Sequence, residues 1–141
     1  MPGPNPHPPD CLIDLACERD ALVGHHHLLR RLTDQLGTTI DSGGDPTVVA
    51  KHFDDFLSCL AVHFAAEERV MLALEYGGFG DHRQDHHDAL TRLRLLDADY
   101  RDGRQAAAYE ALHFIKSWNA FHMEHRDAEF DLYLDQLEPR R

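Results

Sequence analysis

Residues 46–76 carry an apolar stripe at helical spacing and read PTVVAKHFDDFLSCLAVHFAAEERVMLALEY. Apolar side chains recur every three or four positions, which is the pattern of one helix face turned toward a core. The stripe consists of Val49, Phe53, Phe56, Leu60, His63, Glu67, Met71 and Leu74. His63 and Glu67 are four residues apart and therefore share one face of the predicted helix. The stretch thus predicts a long helix whose buried face carries two ionisable side chains.

Three further segments show the same periodicity, and short breaks separate the four. The segments cover about residues 10–37, 46–76, 81–101 and 104–137. Asp45 and Pro46 form a helix start, three glycines interrupt the chain after Tyr76, and Asp102-Gly103 is a tight turn. No β-type alternation is present, and short connections make consecutive helices antiparallel. The sequence therefore predicts an all-α fold, an up-down-up-down antiparallel four-helix bundle.

The length of the chain fits a single domain, which we expect to occupy residues 10–138. Residues 1–9 contain five prolines, so they cannot form a helix and are expected to be a disordered tail. These boundaries leave the whole periodic part of the sequence inside one bundle.

Composition and charge restrict the possible partners and location. The net charge of −11 disfavours nucleic acid, whose phosphates it would repel. No apolar run is long enough to span a bilayer, and no charged-then-apolar leader opens the sequence. Three cysteines (Cys11, Cys17 and Cys59) are an odd number without Cys-x-x-Cys spacing, which indicates reduced thiols. We therefore expect a cytoplasmic protein with no membrane partner, and the oligomeric state stays open.

Histidines and carboxylates recur at helical intervals in all four segments. The candidate ligands are one of His25, His26 and His27, together with His63, Glu67, His82, His86, His122 and Asp127. Imidazole nitrogens and carboxylate oxygens bind iron, and also zinc or manganese. Bare ionisable groups on apolar stripes would cost several kcal/mol each unless they are paired or bound to metal. Seven ligands exceed the four of a tetrahedral ion and predict two ions that share bridging carboxylates.

The order of these motifs resembles that of the hemerythrins, especially the small bacterial ones, over about residues 12–137. The matching motifs are His63-Phe64-x-x-Glu67-Glu68, Tyr76 six residues before His82, His82-x-x-x-His86, and Trp118-x-x-x-His122-Met123-x-x-x-Asp127. A related branch is the hemerythrin-like HHE cation-binding domains. Several motifs in the same order make the resemblance specific.

The resemblance implies a role for each ligand. One iron would bind three histidines, namely His82, His86 and His122. The other iron would bind His63 and one histidine of the first segment, and Glu67 and Asp127 would bridge the two ions together with an oxo or hydroxo group. In this family O2 binds at the two-histidine iron. We therefore expect two iron ions, a partner that is O2 or another small diatomic molecule, and a binding protein rather than an enzyme.

The first segment offers two adjacent candidates for its single ligand. Family members have apolar residues three, four and seven positions after this histidine. His25 is followed at these positions by three leucines, whereas His26 is followed by Leu29, Arg30 and Thr33. His25 also lies nearer the centre of the leucine stripe, at about 100° per residue. We therefore predict His25, although residues 22–24 lack the acidic residue that is usual in the family.

The last segment contains a second His-x-x-x-Glu pair, His125 and Glu129. Ideal helix geometry turns Asp127 well away from His122, while Glu129 stays near the stripe. The spacing of Trp118 before His122 favours His122 and Asp127 all the same. His125 or Glu129 is kept as a supporting or alternative ligand.

Several functions are possible for such a site. Oxygen carriage, storage or sensing requires a dry pocket, and the residues expected to wall it are Phe64, Leu29, Trp118 and Met123. The alternatives within the same site are iron storage, nitric-oxide binding and peroxide removal. A structural zinc site would need only four ligands. A ferritin-like oxidase needs two Glu-x-x-His pairs, and the sequence has only Glu110 with His113.

Overall fold

Four rods of helix form the part of the chain that the computed structural model describes, residues 14–137. The elements are α1 Leu15–Asp41, α2 Pro46–Ala73, α3 Phe79–Arg101, α4 Ala106–His122, a π-helical turn Met123–Asp127 and α5 Ala128–Leu137. The turn joins α4 to α5 without a break, so these three pieces make the fourth rod. Residues 14–137 contain no strand, and the predicted all-α four-helix bundle is confirmed.

Each rod packs on its neighbours in the order of the chain. Helix α1 contacts α2, α2 contacts α3, α3 contacts α4, and α4 returns to α1, which closes the ring. No helix within residues 14–137 is long and apolar enough to cross a membrane. The expected tail at residues 1–9 and both ends of the expected domain lie outside the described residues.

Short polar residues start the first two helices, as the sequence predicted for the second. Asp45 accepts a hydrogen bond from the Thr47 N–H at 2.7 Å, and Pro46 occupies the first position of α2. Such caps satisfy backbone N–H groups that have no partner inside the helix. Asp14 caps α1 in the same way through the Cys17 N–H at 3.1 Å.

The first helix ends later than predicted, because Gly37 does not end it. The helix continues to Asp41 and buries Ile40 on the way. A Cβ atom at Gly37 would lie 3.5 Å from the Leu112 side chain, which is ordinary contact. The glycine therefore sits on a packed face of the helix and does not break it. The predicted tight turn at Asp102-Gly103 is present, with Gly103 at a φ of 106° that favours glycine.

The apolar core has two parts with a polar layer between them. The larger part joins α1, α2, α3 and α4, and its fully buried members include Phe53, Leu36 and Leu93. The smaller part is formed by Leu22, Val70, Met71, Phe130 and Leu134. Histidines and carboxylates lie near the boundary between these two sets, so the fold brings the ionisable residues to one level of the bundle.

Candidate metal centre

Five ionisable side chains are buried at this level of the bundle. Their exposed fractions are between 1% and 3%, and the residues are His63, Glu67, His82, His86 and His122. Helix α2 supplies the first two, α3 the next two and α4 the last. Each lies on the apolar stripe of its helix, and helix packing therefore drives all five into the interior. They are the ionisable groups that the sequence placed on these stripes.

Three histidines converge on the carboxylates from one side. His82 Nε2 lies 2.7 Å from Glu67 Oε1, and His86 Nε2 lies 3.1 Å from the same oxygen. Asp127 Oδ1 lies 3.0 Å from His122 Nε2 and 3.1 Å from His82 Nε2. Ligand atoms of Glu67 and the three histidines all lie within 4.8 Å of one another, which is a spacing that can hold a metal ion.

A second group of ligand atoms lies on the opposite side of the carboxylates. It consists of His26, His63 and Glu67. His26 Nε2 lies 3.0 Å from His63 Nε2. Glu67 Oε2 is 3.8 Å from His63 Nε2, and Asp127 Oδ2 is 3.8 Å from His26 Nε2. Each carboxylate therefore presents one oxygen to the three-histidine group and its other oxygen to the two-histidine group.

The first helix contributes His26 to this second group, whereas the sequence favoured His25. His25 lies on the far side of the His63 ring, with its Nδ1 3.2 Å from His63 Nδ1. The leucine stripe marks the centre of the apolar face, but Asp127 approaches α1 from one side of that stripe. His26 is on that side, and its ring makes the contact with Asp127. His25 instead contacts the ring nitrogen of His63 that faces away from the group.

The π-helical turn explains how His122 and Asp127 meet. In a π-helix the hydrogen bonds join residues five apart, so the two side chains return to one face. A regular α-helix would turn Asp127 away from His122, but this stretch is not a regular α-helix, and the two predicted ligands meet. The competing pair is not brought to the site: His125 and Glu129 are both exposed. The His125 ring packs on Phe121 with ring centres 4.4 Å apart, and Glu129 lies 3.9 Å from Arg126.

Two further carboxylates approach the outer nitrogens of the histidines. Neither was predicted as a site residue from the sequence. Glu68 Oε2 lies 2.7 Å from His86 Nδ1. Asp85 Oδ2 lies 3.7 Å from His122 Nδ1 and accepts a hydrogen bond from Arg126 Nε at 2.8 Å. Partners at the outer nitrogen fix the ring orientation of metal-binding histidines. The signal for Glu68 was its place beside Glu67, while no spacing rule pointed to Asp85.

Aromatic rings cover the three-histidine side. Phe64 stacks on His86 with ring centres 3.8 Å apart, and Trp118 stacks on His122 at 4.3 Å. A small apolar cavity of about 20 Å³ lies next to them and is lined by Leu29 and Trp118, among others. Of the four expected wall residues, Met123 is the one that neither lines this cavity nor stacks on a histidine; it is half-buried in the π-helical turn.

Burial, and the attraction between the carboxylates and the histidine rings, determine which of these side chains are charged. Burial opposes a charge on Glu67, but the His82 and His86 rings outweigh it and lower the pKa of Glu67 below its usual value. Burial likewise opposes a charge on Asp127, and the rings of His122 and His82 lower its pKa. Burial favours neutral His82, yet the two carboxylates raise the pKa of His82 to about 9. Burial lowers the pKa of His63 to about 4, so this ring is neutral at pH 7.

The polar atoms at the centre of the group are not satisfied by one another. Within residues 14–137, those without a hydrogen-bond partner are Glu67 Oε1, His82 Nε2, His86 Nε2, both ring nitrogens of His122 and Asp127 Oδ1. Buried polar atoms normally have a partner, because an unpaired one costs about 1–3 kcal/mol. Close atoms that point to a common space without bonding each other are what a metal site requires. The residues present therefore fit a metal centre.

Comparison with known proteins agrees with this geometry. The family model described as hemerythrin HHE cation binding domain matches residues 18–131. The chain belongs to the hemerythrin family. Hemerythrin of Siphonosoma cumanense is 31% identical over 77 residues, which cover 55% of this chain and 58% of that protein. A hemerythrin chain of Sipunculus nudus is 33% identical over 70 residues, covering 50% of this chain and 53% of the relative.

A further hemerythrin, from Themiste dyscrita, is 32% identical over 50 residues, which are 36% of this chain and 44% of the relative. The chain thus spans about half the length of the curated hemerythrins that it matches. No solved structure gives a significant match to the chain. The resemblance that the motifs indicated is therefore confirmed at the level of the family.

Proposed function

We propose that the protein is a non-haem di-iron protein that binds O2 reversibly. The observation that carries this proposal is the shared position of Glu67 and Asp127, whose paired oxygens face the two histidine groups separately. A carboxylate that faces two ligand groups suits a bridge between two cations. Imidazole and carboxylate ligands are suited to iron.

Each histidine ligand would belong to one ion. The ion with three histidines takes His82, His86 and His122. His63 and His26 would hold the other ion, which would then have one histidine ligand fewer. Glu67 and Asp127 would bridge the two ions. His25 is then a positioning residue that contacts the outer nitrogen of His63, and Glu68 has the same role for His86.

The surrounding residues keep water and protons away from the three-histidine side of the centre. When bound, the two ions would supply the electrons and the binding position for O2. Phe64 and Trp118 stack on His86 and His122, and Leu29 lines the small apolar cavity beside them. Exclusion of water from a reactive site prevents proton leakage and side reactions. This favours reversible O2 binding over irreversible oxidation.

The first test is the metal content. Iron assays on protein loaded with Fe²⁺ without oxygen should give close to two irons per chain. Glu67→Gln should lose metal, because a neutral amide is a poor bridge between cations. Glu124→Gln, at an exposed position of the π-helical turn, is the matched control and should retain both irons. A single zinc per chain that iron cannot displace would contradict the proposal.

The second test distinguishes reversible O2 binding from the alternatives. The reduced, iron-loaded protein should develop an O2-dependent absorption band on stopped-flow mixing, and the band should disappear under vacuum. Immediate oxidation without a reversible band would instead favour peroxide removal or iron storage. A band that forms with nitric oxide alone would favour nitric-oxide binding.

A further inference from the structure

A cavity of about 130 Å³ lies beside the metal centre, between α1 and the end of the fourth rod. Its inner end is lined by His26, Glu67 and Asp127. Arg19 and Asp131 line it as well, and the Asp131 side chain is 69% exposed. The cavity therefore extends from the ligands of the candidate metal centre to the surface of the bundle.

The ligands on this side are the more accessible ones. The side chains of His26 and Asp127 are 26% and 14% exposed, respectively. Those of His82 and His122 are only 1% and 3% exposed. A metal ion that comes from solvent therefore meets His26 and Asp127 first, and the deeper histidines afterwards.

The charge of the cavity suits a cation. Three carboxylates line it, those of Glu67, Asp127 and Asp131, against one guanidinium, that of Arg19. Glu67 is only 3% exposed and lies at the inner end of the cavity. A cleft of one charge sign with low-dielectric walls concentrates ions of the opposite sign. The buried Glu67 carboxylate at the inner end gives an incoming cation a place to bind.

Ion pairs join the two walls at the outer end. The Arg19 guanidinium lies 3.3 Å from Asp131 Oδ1 and 3.1 Å from Asp135 Oδ1. Arg19 belongs to α1 and both aspartates to α5, so these pairs span the opening. Exposed ion pairs contribute little stability and break readily. Arg19 can therefore release these two aspartates at little cost in stability.

We propose that this cavity is the route by which Fe²⁺ reaches and leaves the metal centre, with Arg19 as a movable cation at its mouth. The proposal rests on the di-iron site proposed above. It adds that uptake and release of iron depend on residues that are not ligands.

The test compares a variant that blocks the cavity with a matched variant elsewhere. Val23 lines the cavity and is 53% exposed, while Val62 is 61% exposed on α2 and does not line it. Transfer of Fe²⁺ from the loaded, reduced full-length protein to an excess of a coloured chelator gives the release rate. Val23→Trp should slow release and reloading by at least about threefold, and Val62→Trp should match the wild type. The final iron content should be equal in all three proteins.

The arginine gives a second, opposite test. Arg19→Gln removes the positive charge from the mouth and should speed both uptake and release of Fe²⁺ by at least about threefold at low salt. The difference should shrink as salt is added, because ionic strength screens exposed charges. Equal rates for Val23→Trp and Val62→Trp, or no acceleration in Arg19→Gln, would overturn the route. A wild-type protein that fails to hold two irons would instead overturn the di-iron proposal.

Discussion

His122 Nε2 lies 3.0 Å from Asp127 Oδ1 although the two residues are five positions apart. The π-helical turn between them makes this contact possible, because its hydrogen bonds join residues at that spacing. The fourth rod thus contains one residue more than a regular α-helix would need between these ligands. The contact between His122 and Asp127 should therefore depend on the number of residues in the turn.

An insertion and a deletion at Glu124 should have opposite outcomes. Insertion of one alanine after Glu124 should rotate Asp127 and α5 by about 100° and remove Asp127 from the site, with loss of bound iron. Deletion of Glu124 leaves His122 and Asp127 four positions apart, and an α-helix also places such residues on one face. The deletion should therefore retain both irons. Iron assays and circular dichroism of the two variants check this, and loss of iron in the deletion variant would contradict it.

The adjacent histidines of α1 should respond differently to replacement. His26→Ala removes a proposed ligand, and iron content should fall toward about one per chain. His25→Ala removes the contact with the outer nitrogen of His63 and should retain both ions, with metal affinity lower by about 10–100-fold. The exposed His27 provides the control, because His27→Ala should behave as the wild type. Iron loss in His25→Ala alone would restore the assignment that the sequence favoured.

The small apolar cavity should protect the centre from water. Leu29 is buried and lines that cavity, so Leu29→Ala should enlarge it and destabilise the protein by about 2–5 kcal/mol. Water and protons then reach the irons, and oxidation of the O2-bound protein should be faster. Leu36→Ala is the control, because Leu36 is fully buried in the same helix but does not line the cavity. Stopped-flow spectra and denaturant titrations separate the two effects; equal oxidation rates would refute the protective role.

Metal binding should release protons at neutral pH. Without metal, the carboxylates raise the pKa of His82 from 6.5 to about 9, so its ring is protonated at pH 7. The ring must lose this proton to bind a metal. Apparent metal affinity should therefore rise between pH 7 and about 9. Titration calorimetry in two buffers of different ionisation enthalpy measures the released protons, and the exposed His87→Ala should not alter them.

The same shifts determine the stability of the metal-free protein. A raised pKa contributes stability that is complete below 6.5 and is lost as pH rises through about 9 for His82. The lowered pKa of Glu67 and of Asp127 contributes stability that is lost as pH falls below the usual carboxyl range. Denaturant titrations of the metal-free protein should give a maximum between these limits. Stability that does not change with pH would contradict the assigned charges.

The sequence predicted the bundle well because its signals are periodic. The stripes of α2 and α3 place His63, Glu67, His82 and His86 on buried faces, and the structure buries all four. Such positions depend only on helical spacing, which is uniform along a regular helix. The buried position of His122 follows from the same rule, since α4 is regular up to that residue.

The remaining details depend on tertiary geometry. The choice between His25 and His26 depends on the side from which Asp127 approaches α1, and no periodicity within α1 contains that information. Regular helical spacing would turn Asp127 away from His122, and the π-helical turn that brings the two together leaves no sign in the periodicity. Likewise Asp85 approaches His122 only because α3 and α4 are neighbours. Local spacing therefore identified most of the candidate ligands, while packing between helices determined how they meet.

The ionisable layer also divides the apolar core, with consequences for how long each molecule survives. One end of the bundle rests on sixteen buried apolar residues and the other end on five, counted over residues 14–137. Without metal, the layer between them holds buried polar atoms that lack hydrogen-bond partners in this part of the chain. The smaller end then opens more easily than the larger one, and proteases cut such locally opened segments. Bound metal would join the two ends through ligands from all four rods, so we predict that proteases cut the metal-bound protein more slowly than the metal-free protein.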